Sequence, residues 1–118
     1  MATACVCNAF SIQMLENDND HMVSFRPITA NAVCRKLKTY DKVVSAIGHA
    51  DTAAVISDQL NMVLPMNRCN VRLADYDKLY VAQLTGGRLP EGSTTLPEGF
   101  EIKWWVVSIV PWYMISND

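Results

Sequence analysis

No stretch of this 118-residue chain reaches the roughly 20 consecutive apolar residues that a membrane-spanning helix requires. The longest apolar run, Trp104 to Ile115, is broken by Ser108 and Pro111 and reads as a strand. The start, Met1 to Asn8, has no basic segment ahead of a long apolar core, so a secretory signal is not expected and a cytoplasmic protein is. Charge of one sign is missing too: ten Lys+Arg against twelve Asp+Glu give a formal charge of -2 and a pI near 5.6. Such a surface supplies little field for holding duplex DNA or an anionic membrane, whereas a small anion needs only a local pocket. Cys5, Cys7, Cys34 and Cys69 show no Cys-x-x-Cys spacing and no neighbouring histidine. On the elements expected here, two strands and a helix, they are predicted to be buried free thiols, with no metal. Internal repeats and low-complexity tracts are absent.

Half of the residues are apolar, enough at this length for one compact domain with a single core, spanning 1–118. Thr3 to Asn8 alternates as an opening strand, and the polar loop from Glu16 to His21 follows, with His21 read as solvated. Pro27-Ile28-Thr29 opens a helix with Thr29 as N-cap, because Ala30, Val33, Cys34 and Leu37 share one face while Arg35, Lys36 and Lys38 take the other. Lys42 to Ile47 is a short strand, and a second helix runs to about Leu60 with Ala53, Ile56 and Leu60 buried and Asn61 ending it. Arg68 to Leu73 alternates with period two, turns at Ala74 to Asp77 and resumes as Lys78 to Leu84, an antiparallel pair. Glu101 to Val110 is the last strand, with Trp104 and Trp105 on opposite sides. The class expected is α/β, a mixed and mostly antiparallel sheet of about five strands flanked by helices.

The stretch that invites a functional reading is Ser45-Ala46-Ile47-Gly48-His49-Ala50-Asp51-Thr52, a strand end turning through a glycine into a helix. Such a junction leaves backbone N–H groups and the positive end of the helix dipole facing one spot, which suits a phosphate. Gly48 permits a tight turn or a close ligand approach, and His49 stands at the mouth with the side chain that exchanges protons near neutral pH. It is a candidate general acid; a histidine that caps the helix or fills a corner fits the same octapeptide. Asn8, Ser11 and Gln13 could face a ligand, or supply turn and cap hydrogen bonds. Thr85-Gly86-Gly87-Arg88-Leu89-Pro90-Glu91-Gly92 is a loop built for backbone approach, in which Arg88 can fork onto phosphate oxygens or point into water.

Read together, Asn8-Ala9-Phe10-Ser11-Ile12-Gln13-Met14-Leu15, Ala46-Ile47-Gly48-His49 with Thr52, Asn67-Arg68 and Gly87-Arg88-Leu89-Pro90-Glu91-Gly92 resemble the viral ring nucleases. These are small anti-CRISPR proteins of archaeal viruses, phages and mobile elements. The resemblance implies a compact homodimer that encloses cyclic tetra-adenylate and cuts it without metal or other cofactor, silencing type III CRISPR signalling. It implies His49 as general acid with Arg88 and Glu91 as catalytic partners, and Asn8 and Ser11 as ligand contacts. Gln13, Gly48, Thr52, Arg68 and Gly87 complete the expected binding set. Gln13 departs from the pattern, where a shorter asparagine is expected, and the chain from Ser93 onward matches poorly. Two other readings compete: a dimer that sequesters a cyclic nucleotide or binds nucleic acid without cutting, with Arg68, Arg72 and Lys78 as a basic groove, and an adaptor using Trp104, Trp105, Trp112 and Tyr113.

Overall fold

The structure is a computed structural model that describes residues 2–15, 21–76 and 78–110. Its centre is β1 (Thr3–Cys7), whose Ala4, Cys5, Val6 and Cys7 are all buried. A strand covered on both faces reads as a continuous apolar run, and such strands pair in parallel when helical crossovers join them. β1 does so twice, with β3 (Lys42–Ala46) on one side and β4 (Lys78–Thr85) on the other. β5 (Glu101–Ile109) then pairs antiparallel with β4, and β2 (Val23–Ile28) antiparallel with β5. The sheet order is β2-β5-β4-β1-β3. It is the expected five-stranded mixed α/β sheet, with its pairings divided evenly between parallel and antiparallel.

Two of the expected elements are placed differently. β2 takes Pro27 and Ile28, which the sequence reading assigns to a helix start, together with Val23 to Arg26, for which it names no element. Proline lacks an N–H for a ladder, and an edge strand is where a sheet tolerates it. Arg68 to Leu73 is not a strand: residues 67–72 are irregular, and a 3-10 turn at Leu73–Asp75 leads towards β4. Its alternation is real, since Val71 and Leu73 are buried against the sheet, but it has no place in the strand pairings: Met66 and Asn67 just before it meet Ile47, and Arg72 O and Leu73 O accept within the 3-10 turn.

The helices fall as the periodicity predicts. α1 (Ala30–Leu37) starts at Thr29, whose Oγ1 accepts from Ala32 N–H at 3.2 Å, and buries Val33 and Leu37. α2 (Ala50–Leu60) buries Ala53, Val55, Ile56 and Leu60. It stops at Asn61, in the left-handed conformation, with Met62 N–H reaching Ser57 O and Asn61 N–H reaching Asp58 O. Both helices cover the face that carries Val6, Tyr80 and Trp104; the 67–76 segment and the 3-10 turn Ile12–Met14 lie over Cys5, Cys7, Leu79 and Val107 on the other. Trp104 and Trp105 do face opposite sides, their indole N–H groups donating to Gln59 Oε1 at 2.9 Å and Gln83 Oε1 at 3.1 Å. No described helix is long and apolar enough to cross a membrane. His21 is half-buried; the rest of its loop, and Trp112 and Tyr113, lie outside the described residues.

The thiols divide. Cys5 and Cys7 are buried as expected, Cys34 is half-buried with its Sγ donating to Leu60 O, and Cys69 is exposed on the irregular segment. Burial pushes the Cys5 thiol up to about 12 and the Cys7 thiol up to about 11. Desolvation disfavours the thiolate, the reactive form. Alkylation at pH 8 should therefore modify Cys69 first and leave Cys5 and Cys7 untouched until denaturant is added, as read by mass spectrometry. Leu37→Ala, at a position 1% exposed, should cost about 2–5 kcal/mol in urea unfolding. Val63→Ala, at a position 88% exposed, should stay within about 0.5 kcal/mol.

Candidate functional site

Because β1 is flanked in parallel by β3 and β4, the carboxyl ends of three strands open at one end of the sheet, with β1 reaching its next parallel strand, β3, on one side and β4 leading to β5 on the other. Ligands of open α/β sheets bind at such switch points. Asn8 follows β1 there, Gly48 and His49 follow β3, and Gly86 to Arg88 follow β4.

The end of β3 is fixed by side chains from the segment after α2. Ser45 Oγ donates to Pro65 O at 2.6 Å, and Asn67 Nδ2 to Ser45 O at 2.7 Å. Asn67 N–H donates to Ile47 O at 2.8 Å, and Arg68 Nε to Gly48 O at 2.8 Å. From β1, Asn8 Oδ1 accepts from Gly48 N–H at 3.5 Å. These bonds hold the turn into α2 from two sides. His49 is the N-cap residue of α2 with extended backbone, and its carbonyl accepts from Ala53 N–H at 2.9 Å. Its imidazole makes no cap hydrogen bond and the residue is exposed, so the ring is available at the helix N-terminus.

Two clefts meet at His49. One of about 410 Å³ is lined by Asn8, His49, Asp51, Thr52, Gln83 and Arg88 among others. The second, about 500 Å³, is lined by Asn8, Gly48, His49, Arg68, Cys69 and Asn70 with Ala46. The structure thus brings Asn8, Gly48, His49, Thr52, Arg68 and Arg88 together. Ser11 and Gln13 line a third cleft, which shares Cys69 and Asn70 with the second, and Ser11 Oγ accepts from Gln13 N–H at 3.3 Å as the cap of the 3-10 turn. Glu91, exposed in a turn closed by Ser93 N–H to Pro90 O, lines none of these clefts, and neither does Gly87. Arg68, Arg72 and Lys78 do not form one groove: Arg68 binds Gly48, Arg72 lies 3.9 Å from Asp75, and Lys78 faces the helical side. Gln83 and Asn70 are cleft residues that sequence reasoning missed, with no local signal to mark them; Asp51 and Asn67 stand inside the quoted motifs but were not singled out as site residues. Among the described residues no group of three His, Cys, Asp or Glu side chains is arranged to hold a metal ion.

The glycines separate by cause. Gly86 has φ +116°, and an added Cβ would come within 2.8 Å of Gly99 O and Phe100 Cα, so the exit from β4 requires glycine. Gly48 has no left-handed backbone, and a Cβ there meets only Arg68 Cγ at 3.7 Å, an ordinary contact; the tight turn does not demand it. Gly48→Ala should therefore change stability by no more than about 1 kcal/mol, whereas Gly86→Ala should cost about 1–3 kcal/mol or more. Urea midpoints of the two variants measure this, and any loss of ligand binding in a stably folded Gly48→Ala protein reports close approach to that backbone.

The chain's relatives agree with this fold. It is 35% identical over 91 residues to the uncharacterized protein ORF116 of Acidianus filamentous virus 1, covering 77% of this chain and 76% of that one. Its fold is that of B116 of Sulfolobus turreted icosahedral virus, with a TM-score of 0.75 and 24% identity over 91% of this chain and 99% of the other. The sequence model of the STIV B116-like proteins matches residues 4–104, and the chain belongs to that viral family.

Proposed function

We propose that this protein is a metal-independent ring nuclease that opens cyclic tetra-adenylate and so switches off type III CRISPR signalling in the infected cell. The observation that carries the reading is the placement of His49 and Arg88 on one cleft at the switch point, with Asn8 and Thr52 beside them. Cleavage of RNA without a metal needs the ligand's own 2′-hydroxyl in line with the phosphorus and the departing 5′-oxygen. As the 2′-oxygen bonds to phosphorus its proton passes to solvent, the bond from phosphorus to the 5′-oxygen breaks, and protonated His49 gives its proton to that oxygen. Arg88 stabilises the charge on the pentacovalent phosphorus. Each product is a linear di-adenylate with a 2′,3′-cyclic phosphate and a 5′-hydroxyl.

A ring of four nucleotides exceeds one cleft of about 410 Å³, and its rotational symmetry matches a two-fold pair of clefts. A homodimer presenting one His49 to each of two opposed phosphates follows. In this reading Glu91, which does not line the His49 clefts of its own subunit, acts across the dimer. Membership in a family with relatives in archaeal viruses supports a target in host defence.

The test is incubation of the purified protein with cyclic tetra-adenylate in excess EDTA, beside His49→Ala, with products separated by chromatography. Wild type is expected to yield linear products, and His49→Ala to slow by about 10²–10⁴-fold. A ring bound tightly but left intact would make the protein a sponge. Neither binding nor cutting would sink both readings.

A further inference from the structure

A second polar cleft lies on the helical face of the sheet, away from His49, and encloses about 320 Å³. Its floor follows from strand register. Arg26 on β2, Val106 on β5 and Tyr80 on β4 stand in one cross-strand row, and Lys78 and Ser108 also line the cleft from β4 and β5. Over this floor α1 sets Ala32 and Lys36, one turn apart on the same face, and Tyr40 closes the end. Three cations therefore converge from three elements, the edge strand, the helix and an inner strand. Among the described residues no carboxylate lines the cleft, and none of the three cations is in an ion pair.

That grouping is not what this chain's composition would supply by chance. Its formal charge is -2, yet three of its ten basic side chains share one small concavity. Like charges that share a concavity repel, and an anion between them offsets that repulsion. The hydroxyls point the same way. Tyr40 Oη and Tyr80 Oη are 3.0 Å apart and share one hydrogen bond, which uses one of their two protons. Either hydroxyl can donate that bond; when buried Tyr80, 1% exposed, donates it, half-buried Tyr40 keeps its proton for an acceptor in the cleft. Burial, and then the bond to Tyr40, hold the Tyr80 hydroxyl in its neutral form well above neutral pH, so it adds no negative charge.

We propose that this cleft is a second ligand site that takes the dianionic phosphate of a small phosphorylated molecule. Arg26, Lys36 and Lys78 would bind the phosphate oxygens, Tyr40 would donate a hydrogen bond, and the organic group would lie on Ile28 and Val106. The cations line one concavity and do not form a stripe, which favours a small monoester over a polymer backbone. The inference stands independently of the nuclease reading.

The experiment is calorimetric titration of the full chain with ribose 5-phosphate, with ribose, inorganic phosphate and a short DNA duplex as comparison arms. Saturable binding of ribose 5-phosphate, weaker for phosphate and absent for ribose, is expected, with roughly tenfold loss of affinity in Arg26→Ala or Lys36→Ala. Both side chains are exposed, so these variants should keep the fold, which circular dichroism checks. Tyr40→Phe should weaken binding further when combined with Lys36→Ala, while the double variant His49→Ala, Arg88→Ala should bind as wild type does. No saturable heat at millimolar ligand overturns the proposal, as does affinity unchanged in Lys36→Ala or lost in the His49, Arg88 variant. Stronger competition by the duplex than by phosphate would assign the cleft to a nucleic-acid backbone instead.

Discussion

The parallel pairing of β1 with a strand on each side is the constraint from which the functional geometry follows. β1 is five residues long and buries four of them, and its short apolar side chains leave room for helices on one face and a loop layer on the other. A parallel neighbour cannot be reached by a tight turn, so the chain must cross over through α2 to go from β3 to β4. It lands on the far side of β1, and that crossing opens the sheet where Asn8, His49 and Arg88 meet. Three side chains separated by dozens of residues thus share a cleft through one choice of strand order.

A sheet edge of this kind is soft unless its loops are held. Ser45, Asn67, Arg68 and Asn8 hold it here with bonds to the backbone of residues 45–48 and 65. Asn67 and Arg68, at the start of the irregular 67–72 segment, spend their side chains on this turn. Arg68 shows the same division of labour. Its Nε is committed to Gly48 O, so the guanidinium sits at the mouth of the cleft in a fixed place, a positioned charge and not a mobile one.

Which parts were legible in the sequence follows from where each segment found its hydrogen bonds. α1 and α2 satisfy their own backbones, and their caps at Thr29 and Asn61 and their buried stripes read correctly from local pattern. β1, β3, β4 and β5 were visible as apolar runs. The number of strands also agreed, though by compensation: Val71 and Leu73 alternate because they line the sheet's second face, while β2 hides behind Pro27 and exposed Phe25 and Arg26. Both errors have one source, since period two reports burial on one side and says nothing of which backbone accepts the N–H. Of the candidate site, His49, Gly48, Asn8, Thr52, Arg68 and Arg88 were legible because a motif order marked them. Gln83 and Asn70 entered only through tertiary contact, which no local spacing encodes. Gly87 and Glu91, marked by the same motif, lie outside the clefts of the single chain.

The last step concerns what His49 does not do. An N-cap position ordinarily holds Ser, Thr, Asp or Asn, whose side chain accepts from the first turn and stabilises the helix by about 1 kcal/mol. At this position the backbone is extended, as a cap requires, yet the imidazole makes no such bond, and the structure forgoes that stabilisation. Meanwhile Asn8, which has the side chain a cap would use, is directed at Gly48 from another strand. The turn is thereby held without the histidine, so the helix start keeps its unspent N–H groups and dipole, and the ring beside them keeps both nitrogens for a ligand. Stability and availability compete at one residue. The arrangement favours availability, which leaves the ring open at the cleft for the proton transfer proposed for it.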